Sequence, residues 1–431
     1  MPDFAAMPDD KNRPDHVPSS QKTRDQYESY PYPERSPEDE DKRLITGSPG
    51  NWDEVVHFVF GGRDPSAQTK SGKIKILVAG GGTGDALVML AQQARDRKAK
   101  AEIVYIDLSE SSRAIAEARI KRRSLEKNVT FVTGSFVDLA AEYGPFDYID
   151  CCGVLHHLPD PDAGLKALAD ALKPDGGMGL MVYGELGRQG VYHMQEMMER
   201  LNAEAGGSKR LNFGKALFNS LPGTNWLKRN PFVGDHIHGG DAGFYDLLLH
   251  QQDRAYRVDE VFDFVEAAGL RLQNFIEPMR YDPTTYCSRH DVLDRAVHVP
   301  FRERAALAEL MAGNITKHTF YVVKAKNKVK PPVPSPELIP TFTRVDGPSL
   351  ARSVAKTGNI KITFTGLAVT RTMPSASPAI LSRIDGKRSI DEIYAMFDPK
   401  PEKFEFNAQF AVMYSVLNAA NLMYLRYPPK K

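Results

Sequence analysis

The segment Ile76-Leu77-Val78-Ala79-Gly80-Gly81-Gly82-Thr83-Gly84-Asp85 constrains the fold of this 431-residue chain more than any other stretch. A hydrophobic strand runs into a glycine turn and then a helix, and glycine there permits positive φ and close approach of a ligand to the backbone. From Lys73 onward, short β-branched runs alternate with longer amphipathic ones, the pattern of parallel strands joined by crossover helices. The strands are Ile74 to Ala79, Glu102 to Asp107, Val129 to Val132, Asp147 to Cys152 and Gly179 to Tyr183, with helices near 85–97, 110–125 and 161–173. Right-handed crossovers give an α/β fold with an open, doubly wound sheet. The later apolar runs Leu270 to Ile276 and Thr319 to Val323 are expected to close it as an edge pair.

The turn also selects its ligand. A dinucleotide fingerprint would carry glycine or alanine at position 85 and set a pyrophosphate on the helix N-terminus. Asp85 stands there instead. A carboxylate beside the turn repels a pyrophosphate and tolerates a phosphate-free ligand with a cationic centre, such as S-adenosylmethionine. Asp107 ends the next strand 23 residues after Gly84, where a carboxylate can accept both hydroxyls of a ribose. The alternative is a merely tight turn, with Asp107 capping the next helix.

The third element is the strand and loop Phe146-Asp147-Tyr148-Ile149-Asp150-Cys151-Cys152-Gly153-Val154-Leu155-His156-His157-Leu158-Pro159-Asp160-Pro161, followed by Leu172-Lys173-Pro174-Asp175-Gly176-Gly177 as a turn before strand five. With the glycine turn and Asp107, this sequence resembles the class I S-adenosylmethionine-dependent methyltransferases over about residues 73–325. The resemblance implies a seven-stranded Rossmann-like sheet with an antiparallel last strand, and S-adenosylmethionine as cofactor. It implies that Gly80, Gly82, Thr83 and Gly84 form the turn under the methionine portion, that Asp107 holds the ribose, and that Leu108 lies against the adenine. Gly134-Ser135-Phe136 matches the turn after strand three, where the family often has an Asp; Ser135 replaces it. Cys152 and Gly153 would face the sulfonium and the transferred methyl.

Methyl transfer needs an aligned acceptor lone pair, and a general base only where the acceptor carries a proton at neutral pH. The Asn/Asp-Pro-Pro-Tyr/Phe motif of enzymes that methylate adenine or glutamine is missing after strand four. Gly-Val-Leu-His-His looks like small-molecule O-, C- and N-methyltransferases, including those of quinone biosynthesis. Residues 184–256 form an insertion, and Asp235, His236, His238, Asp241, Asp246 and His250 fall within 16 residues of it. His157, His238 and His250 are the catalytic candidates, as bases or substrate-orienting groups; loop packing is the competing reading. His236, His238 and Asp241 have chelate spacing, but without a third histidine at helical spacing no metal is assigned.

Outside this unit, residues 1–45 hold seven prolines, 11 acidic and seven basic residues, and almost no Val, Ile or Leu before Leu44. Disorder is expected to about residue 25, then a packed arm carrying Tyr27, Tyr30 and Tyr32 and the acidic run Glu38 to Asp41. Tyr30 and Tyr32 are placed to act as a lid or merely to anchor the arm. The organisation is a tail and arm over 1–72, the methyltransferase unit over 73–326, a Pro-rich linker over 327–340 and a second unit over 341–431. That last unit has a β-like run Ile360 to Thr370 and helices near 378–384, 389–397 and 406–425, which suggests a winged-helix-like module. Leu381 to Ile393 looks like the small peptide-binding winged-helix modules that chaperone precursor peptides in pyrroloquinoline-quinone maturation. That implies a peptide acceptor or a dimer contact; covering the sheet edge is the plainer role.

A net charge of +1, with six basic and six acidic residues over 379–427, excludes a basic nucleic-acid surface there. Three cysteines cannot form a disulfide framework or a CxxC-type zinc site. No run approaches the ~18 apolar residues that span a bilayer. The expected protein is a cytoplasmic methyltransferase acting on a small molecule or a presented peptide, with no membrane or nucleic-acid partner and the possibility of a homodimer; a catalytically silent cofactor-binding scaffold, or a protein methyltransferase, is the alternative.

Overall fold

The computed structural model describes residues 19–69, 71–201, 207–250 and 252–429. Of the tail expected to be disordered to about residue 25, residues 1–18 lie outside the described residues, and residues 19–25 instead belong to a helix, Ser19–Ser29. The main sheet is built from β1 (Ile74–Ala79), β2 (Ala101–Asp107), β3 (Val129–Thr133), β4 (Phe146–Cys152), β5 (Leu172–Gly184), the two-residue β6 (Ala255–Tyr256), β7 (Leu270–Phe275) and β8 (Lys317–Lys324). Its order is β3-β2-β1-β4-β5-β8-β7, with β6 beside β5. β1 to β5 are parallel, and β8 is antiparallel to both β5 and β7. The sheet is thus the mostly parallel, Rossmann-like one expected, closed by the predicted edge pair.

Alternation along the strands builds two apolar layers, because successive side chains point to opposite faces. Leu77 and Ala79 of β1 join one core with the helices Phe136–Tyr143, Pro161–Asp170 and Val258–Ala267. Ile74, Ile76 and Val78 join the other with the helices Trp52–Phe58, Asp85–Asp96 and Glu110–Arg122. With both faces covered, β1 is apolar except for Lys75 near its start. The segment read as a turn before strand five, Leu172 to Gly177, lies within β5. Its pairing with β4 shifts register between Phe146 and Tyr148, so the strand absorbs Pro174 at an irregularity instead of starting after it. The insertion forms the helices Val191–Arg200, Gly207–Ser220 and Gly240–Leu248 around its own core of Val191, Met194, Leu211, Phe244 and Leu248.

The C-terminal part is a small α+β unit. β9 (Ile339–Phe342), a helix Gly347–Thr357, the hairpin β10 (Asn359–Phe364) and β11 (Leu367–Thr372), three helices and β12 (Met423–Arg426) follow one another, and β12 pairs with β9. The last helix, expected over 406–425, spans Lys403–Ala419, so the uncharged run from Phe406 to Leu425 is helical only in part. Asn421 then takes a left-handed conformation (φ +62°) that turns the chain into β12. This unit is bound to the helix Trp52–Phe58 by buried polar contacts. Glu54 accepts hydrogen bonds from Ser48 Oγ (2.7 Å), Asn421 Nδ2 (2.9 Å) and Tyr321 Oη (3.1 Å), and His57 Nδ1–H donates to the Leu425 carbonyl (3.1 Å). Desolvation pushes Glu54 up to about 7 and His57 down to about 4. No helix among the described residues is long and apolar enough to cross a membrane.

Candidate active site

The carboxyl ends of β1 to β4 enclose a recess whose walls are largely backbone. Gly80 and Gly82 have φ of +63° and +51°. A Cβ on Gly80 would come within 2.6 Å of Val154, and one on Gly82 within 2.8 Å of the Tyr32 carbonyl oxygen, so neither position has room for a side chain. Gly82 N–H and Ser109 N–H each donate to Asp107 at 2.8 Å, which fixes the carboxylate beside the turn. Burial raises the Asp107 pKa although its side chain still meets open space. Gly134 N–H donates to the Asp107 carbonyl (2.8 Å) and ties the end of β3 to that of β2. At the end of β4, Cys152 is exposed, yet desolvation pushes its thiol up to about 12. Protein surrounds it and open space faces it, as expected of the wall of a recess.

The structure therefore brings Gly80, Gly82, Asp107, Leu108, Cys152 and Gly153 together. Three expected residues have other occupations. The Thr83 hydroxyl donates to the Pro33 carbonyl (2.7 Å), Gly84 packs against Ala116, and Ser135 accepts from Val137 N–H as the N-cap of the helix that buries Phe136.

Asp85 does not face the recess as a bare carboxylate. Desolvation works against its charge, but Arg35 (2.7 Å) and Arg119 (2.8 Å) hold its pKa below the usual range. Arg35 comes from the N-terminal arm, and Arg119, itself 1% exposed, also pairs with Glu40 at 2.6 Å. Arg122 pairs with Asp41 and Arg123 with Glu40, so the acidic run of the arm docks on the basic end of the helix Glu110–Arg122. At the other end of that helix the Glu28 carboxylate accepts from Glu110 N–H (2.6 Å) and Ser111 N–H (3.0 Å), the placement favoured for an anion at a helix N-terminus. The arm thus lies across the glycine turn, held at both ends by charge.

Beyond the recess, the arm, the loop after β4, the end of β5 and the insertion meet in a buried polar chamber. Asp246 accepts hydrogen bonds from Tyr27 Oη (3.0 Å) and Tyr183 Oη (3.3 Å), and it has no ion-pair partner among the described residues. Desolvation raises its pKa. His157 and His250 stack with ring centroids 4.0 Å apart, and Tyr183 packs on His156 at 3.9 Å. His157 Nδ1 lies 3.2 Å from the Gln252 carbonyl and 4.0 Å from Asp253. A carbonyl can only accept, so Nδ1 carries the proton and Nε2 is the basic nitrogen. His250 is the opposite case: Gln252 N–H donates to its Nδ1 (3.1 Å), which leaves the proton of the neutral ring on Nε2. Desolvation lowers the pKa of His156 and His250 far enough to keep both rings neutral.

Two groups have ligand-capable atoms within 4.8 Å of one another, His156 with His157 and Asp253, and His157 with Asp246 and His250. The hydrogen bonds argue for protons here. A His250 that accepts at Nδ1 would have to become an imidazolate to bind an ion at Nε2, and Arg188 already pairs with Asp253 at 3.4 Å. His238 does not join the chamber. It is exposed on the turn Asp235–His238, where Asp241 pairs with Lys215 and His236 packs edge-on to Phe218, so the cluster with chelate spacing is split among surface contacts. Sequence reasoning missed Tyr183, Arg188 and Asp253. Only the position of Tyr183 at the end of a strand could have signalled its role.

A parallel sheet with a glycine turn after its first strand, an acid ending the second and a cysteine-lined recess after the fourth is the arrangement of a nucleoside-cofactor enzyme. The family model described as "Methyltransferase domain" matches residues 77–178. An uncharacterized protein of Synechococcus sp., syc1184_c, is 33% identical over 324 residues, 74% of this chain and 73% of that protein. The ubiquinone/menaquinone biosynthesis C-methyltransferase UbiE of Shewanella oneidensis is 29% identical over 103 residues, which are 24% of this chain and only 40% of that enzyme. PKMT2 from Rickettsia typhi, solved in complex with AdoHcy, superimposes with a TM-score of 0.61 at 16% identity, covering 93% of this chain and 76% of that one. The chain belongs to the class I S-adenosylmethionine-dependent methyltransferases. Within that class its fold extends over the C-terminal unit in the same way as that of PKMT2. The cofactor is S-adenosylmethionine. The recess suits it: the turn admits no side chain, the Asp107 carboxylate is positioned as an acceptor, and Arg35 and Arg119 are held by Asp85.

Proposed function

We propose that the enzyme methylates the nitrogen of an amine. The observation that carries this is Asp246, a buried carboxylate held by two tyrosine hydroxyls and with no direct ion pair among the described residues, Arg188 acting on it only at longer range. Burying an uncompensated charge is costly, and an ammonium group supplied by the acceptor removes the cost. Asp246 would bind that ammonium, with the Tyr27 and Tyr183 hydroxyls fixing the carboxylate's orientation. His157, whose Nδ1–H bond to the Gln252 carbonyl leaves Nε2 as the nitrogen with the free lone pair in the neutral ring, would take the proton and free the nitrogen lone pair of the acceptor. The arm, clamped through Arg35 and Asp85, would exclude water from the chamber.

On the donor side, Asp107 would hold the ribose, Gly80 and Gly82 would pass under the methionine portion, Leu108 would flank the adenine, and Cys152 and Gly153 would face the methyl group that S-adenosylmethionine supplies when bound. The amine can belong to a small molecule or to a peptide. The test is to incubate the full chain with cell extract and cofactor labelled in its methyl group, then hydrolyse the products. Label in acid- and base-stable methylamines supports the proposal; label only in esters, ethers or carbon-bound methyl groups overturns it. Asp246→Asn should abolish labelling while cofactor affinity stays unchanged by titration calorimetry.

A further inference from the structure

We infer that Tyr105 is a positioning residue for the cofactor, holding the glycine turn in the form that receives S-adenosylmethionine; the inference rests on the donor-side reading above. Tyr105 and Asp107 stand two apart on β2 and so point to the same face of the sheet. The Tyr105 hydroxyl donates to the Gly82 carbonyl at 2.6 Å, and the Gly82 N–H donates to the Asp107 carboxylate at 2.8 Å. Gly82, with φ of +51°, belongs to the residue type with the freest backbone, yet the peptide group on either side of it is tied to β2. Tyr105 is 0% exposed and its ring packs on Phe131 of β3 with centroids 5.4 Å apart, so the hydroxyl is carried by a fixed ring. Burial raises its pKa, which keeps the hydroxyl a donor.

The same ring accounts for the middle glycine of Gly80-Gly81-Gly82. Gly80 and Gly82 have positive φ, which favours glycine, but Gly81 does not, so its backbone conformation alone would accept an alanine. A Cβ on Gly81 would lie 2.4 Å from Cε2 and 2.5 Å from Cδ2 of Tyr105, and a ring packed on Phe131 cannot yield that far. Tyr105 therefore meets the turn twice, with its ring against Gly81 and its hydroxyl on Gly82. Without the hydroxyl the Gly82 carbonyl loses its tie to β2, and the turn has to be ordered as the cofactor binds, which weakens binding. Tyr105 acts through the backbone and not on the reacting atoms, so its effect falls on cofactor affinity and spares the rate at saturation.

The experiment titrates S-adenosylhomocysteine into the full chain by calorimetry, for the wild type, Tyr105→Phe and Asp107→Ala, and follows labelling of cell extract over a range of S-adenosylmethionine concentrations. Tyr105→Phe keeps the ring and should weaken binding about tenfold. The half-saturating cofactor concentration should rise by the same factor while the maximal rate is kept. A residue that only supports the fold would lower the maximal rate and leave affinity unchanged. That pattern, or wild-type affinity in Tyr105→Phe beside a weakened Asp107→Ala, overturns the role. Weakening in Tyr105→Phe but not in Asp107→Ala upholds the role and removes the ribose reading, and unchanged affinity in both overturns the two together. For the ring, Gly81→Ala is compared alone and combined with Tyr105→Val, which lacks the ring atoms in the way. Alone it should weaken binding roughly tenfold or more, and in the Tyr105→Val background it should change little; equal losses in both backgrounds overturn the ring's part. Tyr105→Phe removes a single hydroxyl and still decides if Tyr105→Val does not fold.

Discussion

The two halves of the active site are made of different material. The proposed donor half is mostly main chain: Gly80, Gly82 and Gly153 lend it backbone, and the Asp107 carboxylate is held by two peptide N–H groups. The acceptor half is mostly side chain, with Tyr27, His157, Tyr183, Asp246 and His250 drawn from the arm, two strand ends and the insertion. A backbone site is fixed by one contiguous segment and by the sheet beneath it. A side-chain site exists only while several elements stay packed together, and the arm can bring or withdraw its share. One chain can thereby keep a constant cofactor while its acceptor chemistry is set by loops, consistent with function being carried on sites grafted on a common fold.

Substitutions in the two halves should therefore separate cleanly. His157→Gln, on the acceptor side, should lower kcat about 10²–10⁴-fold and leave cofactor affinity intact; an unchanged kcat would remove the base. Asp107→Ala, on the donor side, should weaken S-adenosylmethionine binding roughly 100-fold by calorimetry, because a buried charged acceptor is lost. Arg35→Ala sits where the halves meet. With the latch to Asp85 gone, both cofactor affinity and acceptor KM should worsen about tenfold, and an effect confined to one of them would show that the arm serves only that half.

Glu54→Gln should touch neither half and tests the docking of the C-terminal unit. With a folded pKa of about 7, above the unfolded value, wild-type Glu54 contributes stability that is fully present below ~4.3 and lost as pH rises through 7. The Gln variant should escape that loss, so its stability relative to wild type should improve by about 3 kcal/mol between pH 4.5 and 8 in denaturant titrations. His57 works in the other direction: its pKa is depressed to about 4, so its contribution is present above ~6.5 and lost as pH falls through 4. Unchanged kinetics in Glu54→Gln are expected at every pH.

The same contrast explains what the amino-acid order revealed. The strands, the glycine turn and Asp107 are legible because period-two apolar runs and short-range spacing determine them. Tyr27 and Asp246 meet across 219 residues, and no local pattern encodes that pairing. Asp85 is expected from the sequence to act as a bare carboxylate that repels phosphate, whereas Arg35 and Arg119 claim its charge from 50 and 34 residues away. The acidic run Glu38 to Asp41 and the basic end of the helix Glu110–Arg122 were each visible without their complementarity being so. The final helix was extended through β12 because absence of charge marks burial in either a helix or a strand, and only the left-handed turn at Asn421 separates the two.

A buried carboxylate that awaits a cationic amine can be probed by titrating hexylamine into the full chain loaded with S-adenosylhomocysteine, for the wild type and for Asp246→Asn. Saturable binding to the wild type and its loss in the variant, with cofactor affinity preserved, is expected; no binding to either, or equal binding to both, would rule the ammonium site out.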